Sequence, residues 1–177
     1  MRKFVLAGAV AALMASAATA DYSVPVPDLE LAALESFTLD VNIIGGSFSG
    51  FDFSMDYGEP IEDFSWASDL AIFVTTPGGT TYQIGGLSGE DIPWAFQGSG
   101  SDAPGFYSDT VDFTPIGGPF TETGLWTFTF ENNSSFDSNP NPYSNIFFNL
   151  IGVEVPAPGA LALLGVAGLA GQRRRRA

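Results

Sequence analysis

Apolar residues recur at every second position through much of the chain, the spacing that puts alternate side chains on opposite faces of an extended strand. Phe37, Leu39, Val41 and Ile43 point one way while Thr38, Asp40 and Asn42 point the other. The rhythm returns in Phe51, Phe53, Met55 and Tyr57, which alternate with Asp52, Ser54 and Asp56. It returns again in Leu70, Ile72 and Val74, in Trp126, Phe128 and Phe130, and in Ile146, Phe148 and Leu150. Helical spacing is confined to a short stretch at Leu29–Leu34, and Asp21–Pro27 reads as a polar, proline-spaced lead-in. Between the alternating runs stand Gly45-Gly46, Pro77-Gly78-Gly79, Gly85-Gly86, Gly117-Gly118-Pro119 and Asn139-Pro140-Asn141-Pro142. Glycine supplies positive φ and proline presets a turn, so each cluster ends a strand. Short strands with regular turn punctuation predict an all-β, antiparallel β-sandwich.

The strands fall within residues 21–153, one domain's worth of chain. Fifteen of the chain's sixteen phenylalanines lie in this stretch and supply much of its core. Buried aromatics hide ~150–250 Å² each, enough to stabilise such a sandwich without disulfides, and the chain has no cysteine.

The two ends differ from this body. Residues 1–20 have the three parts of a secretory signal peptide: Arg2 and Lys3, an apolar run from Phe4 to Met14, and a small-x-small site at Ala18-Thr19-Ala20. Cleavage by signal peptidase is expected after Ala20. Residues 154–177 hold Val155-Pro156-Ala157-Pro158, an apolar run Gly159–Gly171, and Arg173, Arg174, Arg175 and Arg176. As a helix that run spans about 20 Å, against a hydrocarbon thickness of about 30 Å. Arginines stay on the cytoplasmic side, so a short transmembrane helix capped by them suits a segment held briefly in a membrane and then cut.

Charge sharpens the division. All six lysines and arginines lie at the two extremes of the chain, and all 20 acidic residues lie between Asp21 and Gln172. With neither histidine nor cysteine, the chain holds no Ser–His or Cys–His pair for nucleophilic catalysis. A body without cations offers nothing to phosphates, which excludes nucleic acid as a partner. An enzyme would have to work with carboxylates alone, as glycoside hydrolases do, and no paired arrangement is visible.

Val-Pro-x-Pro, a short apolar helix and a terminal arginine cluster, in that order, resemble the PEP-CTERM sorting signal of Gram-negative bacteria. The resemblance covers residues 154–177. It implies export, recognition and processing by an exosortase-like enzyme, and a final place at the cell surface or in the extracellular matrix. Ala157 stands where the family usually has Glu, a variant that bears on which processing enzyme acts. In the body, Ser68-Asp69-Leu70-Ala71-Ile72-Phe73-Val74-Thr75-Thr76-Pro77-Gly78-Gly79-Thr80 is similar to a hairpin of proprotein-convertase P-domains. Gly124-Leu125-Trp126-Thr127-Phe128 is similar to another strand of that family. This second resemblance spans about residues 37–153 and implies a jelly-roll sandwich.

Two kinds of binding site are suggested by residue type. Ca²⁺ takes six to eight oxygen ligands, and Asp52, Asp56, Asp63 and Asp69, with Glu59 and Glu62, are candidates. Glu131, Asn132, Asn133, Asp137 and Asn139 form a second oxygen-rich group. Acids without cationic partners repel one another, which divalent ions would relieve. Trp66, Trp94 and Trp126 suggest carbohydrate stacking. Trp126 alternates with core phenylalanines and is expected to be structural, whereas Trp94 sits in an irregular stretch and is the best candidate for an exposed platform. The expected function is therefore that of an exported, non-catalytic surface or matrix protein. The alternatives are a module binding an extracellular polysaccharide or a Ca²⁺-bridged polymer and, third, a carboxylate-based glycan-active enzyme.

Overall fold

The computed structural model describes residues 21–58, 66–98, 103–135 and 139–156. They form nine strands: β1 (Tyr22–Pro25), β2 (Leu29–Leu31), β3 (Ser36–Ile43), β4 (Gly45–Tyr57), β5 (Leu70–Thr75), β6 (Thr81–Gly85), β7 (Gly105–Asp112), β8 (Gly124–Asn132) and β9 (Asn141–Glu154). One antiparallel sheet has the order β1-β9-β4-β7, with β2 also on β9; the other has the order β3-β8-β5-β6. The two sheets bury their apolar faces in one shared core. The expected signal and sorting helices lie outside the described residues. Among the described residues, no helix is long and apolar enough to cross a membrane.

The alternation seen in the sequence is the alternation of burial. Phe51, Phe53, Met55 and Tyr57 of β4 are buried, as are Trp126, Phe128 and Phe130 of β8. Phe148 of β9 joins the layers, meeting Phe128 edge-on at 5.2 Å and Phe130 at 5.4 Å. Edge-to-face contacts match the positive rim of one ring with the negative face of the next.

Four departures from the sequence reading have physical causes. The lead-in is partly strand: Tyr22–Pro25 pairs with Leu150–Phe147 of β9, because a proline at a strand end forfeits no bond that an edge needs. The stretch at Leu29–Leu34 is not helical. It forms β2 and then a turn with Leu34 at φ 58°. β7 was not foreseen, since only Tyr107 and Val111 face inward with apolar side chains while Phe106 faces outward. Strand β9 runs on through Glu154, whose carbonyl accepts the Ile44 N–H at 2.7 Å, and Val155 still packs on the core.

A bulge closes one end of the sandwich. β4 leaves β9 between Gly46 and Gly50, and Phe48 instead exchanges two backbone hydrogen bonds with Phe120, each 2.8 Å. Its ring then meets Phe113 at 4.9 Å and Trp126 at 5.0 Å. The detour needs Gly46 at φ 100° and Gly152 at φ 78°. A Cβ on Gly46 would strike the Gly152 carbonyl oxygen, and one on Gly152 would strike that of Ser47. Glycine alone tolerates both the dihedral and the close approach.

Candidate functional site

Among the described residues, the acids expected to bind Ca²⁺ are not assembled into one site. Asp52 and Asp56 do share the outer face of β4, but four residues of strand separate them by about 13 Å. A single Ca²⁺ holds its ligands at about 2.3–2.6 Å, so the two serve no common ion. Asp69 is buried at the start of β5 in the other sheet, and Asp63 lies outside the described residues, as do Glu59, Glu62 and Asp137. Among the described residues, no three acidic side chains gather.

Neutral donors take the place of the missing cations. Thr110 donates to Asp52 at 2.8 Å, Thr127 to Asp40 at 2.6 Å, and the Asn145 amide to Asp56 at 2.7 Å. Backbone N–H groups of Ala95, Gln83 and Trp66 donate to Asp109, Asp91 and Asp69 at 2.7, 2.8 and 2.9 Å. The hydroxyl and then the backbone N–H of Thr114 hold the Asp112 carboxyl below its ordinary range, and the Gln97 amide does the same for Glu90. Donors to the ionised form favour it.

Glu131 is the exception. It stands on β8 between Ser36 and Ala71, and burial raises its carboxyl above the usual range. The fold thus disfavours its charged form. Its contribution to stability is intact below the unfolded-state value and is lost as pH rises through the folded one. Glu131→Gln is expected to raise the melting temperature at neutral pH, with the advantage gone near pH ~3, where the native carboxyl is protonated. Thermal melts of both proteins at the two pH values check this.

The tryptophans part company. Trp126 is wholly buried, as expected. Trp94 is not an exposed platform: only 2% of its surface is accessible. It plugs the gap between the sheets, stacked between Phe53 at 5.2 Å and Phe96 at 5.3 Å, with its indole N–H on the Leu70 carbonyl at 2.6 Å. Gly85 leaves room for it, since a Cβ there would fall inside the indole. An irregular segment signalled a loop, but an aromatic side chain with one polar atom can still be drawn into a core that offers an acceptor.

Trp66 is the exposed indole, 39% accessible. It borders a cleft of about 590 Å³ lined also by Asp69, Gly86, Leu87, Ser88, Asn133, Ser134 and Ser135. Three distant pieces of chain meet here because β5 is central in its sheet: Leu70 lies opposite Asn132 of β8, and Ala71 opposite Gly85 of β6. The pieces are tied together. Asn133 sends its side-chain amide to the Gly86 carbonyl at 2.8 Å and its backbone N–H to that of Asp69 at 2.9 Å. Gln83 spans the turn, donating to Gly85 at 2.8 Å and Ser88 at 2.9 Å. The oxygen-rich group at Glu131–Asn139 is thus in part structural: Asn132, buried, donates to the Leu31 carbonyl at 3.1 Å and accepts from the Ser134 N–H.

The sorting-motif residues Val155 and Pro156 line a smaller cleft of about 380 Å³ with Tyr22, Val24 and Pro25 of β1 and Leu39–Asn42 of β3. Ala157, Pro158, Arg173–Arg176, Ala18 and Ala20 lie outside the described residues. No protein-family model matches the chain, and no curated protein matches it significantly.

Proposed function

We propose that this protein is an exported, non-catalytic component of the cell surface or extracellular matrix of a Gram-negative bacterium. In this reading, signal peptidase removes residues 1–20 and an exosortase-like enzyme processes the tail near Val155–Pro158 after a transient stay in the inner membrane. The observation that carries it is where the two ends of the sandwich lie. β1 and β9 are neighbours in one sheet, with Tyr22 opposite Leu150, and Val155 and Pro156 sit beside Tyr22 and Val24. A folded domain whose ends leave side by side accommodates two membrane-directed segments at one surface. The strand orders β1-β9-β4-β7 and β3-β8-β5-β6 support the finer reading of the body as a jelly roll, in line with its resemblance to P-domains.

Replacing Arg173–Arg176 with serine removes the block that holds the tail at the cytoplasmic face. Mis-sorting is expected, read as loss of surface protein on fractionation. Mass spectrometry of the native surface protein is expected to find a chain beginning at Asp21 and lacking the arginines. Recovery of mature surface protein that still carries them would sink the proposal.

A further inference from the structure

We infer that the cleft beside Trp66 is a binding site for a short neutral saccharide. The inference stands on the cleft alone and is independent of how the tail is processed. The volume, about 590 Å³, falls inside the ~300–1,000 Å³ of small-molecule sites. Its wall is largely apolar, with a solvent-facing indole at the rim and polar groups at a few points: the Asp69 carboxylate, the Asn133 amide, and the hydroxyls of Ser88 and Ser135. A sugar ring is made in the same way. Its C–H faces pack on an aromatic plane, while the hydroxyls around its edge require donors and acceptors.

Charge selects among ligands. No lysine, arginine or histidine occurs between Asp21 and Gln172, so a phosphate, sulfate or uronate would enter a field of its own sign, with Asp69 in the lining. An amine would find the indole and the carboxylate, but one oxygen of Asp69 is already taken by the Trp66 N–H at 2.9 Å, and the remaining polar lining is hydroxyl and amide. Neutral polyols fit this lining best.

The site is also braced. Gln83 and Asn133 fasten the Gly85–Ser88 turn from two sides, and Gly86 donates to the Ser68 carbonyl at 3.1 Å. Leu87 is held at φ 62°, a conformation that branched side chains rarely adopt and that persists only where the surroundings impose it. A wall fixed beforehand loses little freedom when a ligand arrives.

With Trp94 and Trp126 buried, Trp66 is the one solvent-facing indole of the three, so it reports on the cleft. The purified protein is titrated with cellotetraose, mannotetraose, maltotetraose and chitotetraose, with choline as the cationic control. At least one saccharide is expected to change the tryptophan emission saturably. By calorimetry, Trp66→Ala is expected to weaken that saccharide at least tenfold, equivalent to about 1.4 kcal/mol, while Trp66→Phe retains part of the affinity. An unchanged melting temperature in both variants shows that the sandwich is intact. The inference is overturned if none of the four saccharides saturates, if choline alone does, or if Trp66→Ala binds as tightly as the native protein.

Discussion

Trp126→Ala is expected to lower the unfolding free energy by ~3–5 kcal/mol, the usual cost of emptying a large buried aromatic site. The indole lies where three elements converge. Phe48 meets it edge-on at 5.0 Å, Phe120 lies tilted against it at 5.7 Å, and its N–H reaches the Glu122 carbonyl at 3.3 Å. Those neighbours belong to the bulged part of β4 and to the connection before β8, not to the ladder that holds Trp126 itself. Removing the ring therefore leaves a void that no single strand can close by shifting. Urea denaturation followed by far-ultraviolet circular dichroism is expected to show a lower midpoint with a similar slope. A shift below ~1 kcal/mol would place Trp126 outside the core.

Gly152→Ala is expected to cost roughly 2–6 kcal/mol, joining ~1–3 for a non-glycine residue in the left-handed region with ~1–3 for displacing packed neighbours. The added methyl would meet the carbonyl oxygen of Ser47, a backbone atom that cannot swing away. Gly79→Ala is the control. Gly79 is also left-handed, at φ 87°, but has nothing within 4 Å of the added atom, so it bears the dihedral strain without the collision and is expected to cost only the ~1–3 kcal/mol of that strain. Equal losses in the two variants would mean that the bulge is not tightly packed.

Strands that carry large apolar side chains on one face, such as Phe51–Tyr57 and Trp126–Phe130, were legible because burial imposes a period of two on the sequence. β7 was not, because an edge strand needs few core contacts and keeps Phe106 on its outer side. The shared face of Asp52 and Asp56 was readable from the same period, yet their separation along the strand disqualifies them as a pair, a point that composition hides. The Trp66 cleft was the least legible feature. Its members lie near residues 66, 87 and 134, and what unites them is strand pairing between β5, β6 and β8. The turn at Gly85-Gly86 was visible, but not that it would face an indole nineteen residues earlier.

The supply of neutral hydrogen-bond donors to the carboxylates has a consequence for how the body is cut. Because threonine, asparagine and backbone N–H groups do the work elsewhere given to lysine and arginine, the chain runs from Phe4 to Gln172 without either residue. Trypsin-like proteases choose their bond by seating a cationic side chain in an acidic pocket. For them the whole sandwich is a single uncut fragment, whether folded or unfolded. Amine-directed cross-linkers likewise have no lysine to attack anywhere beyond Lys3.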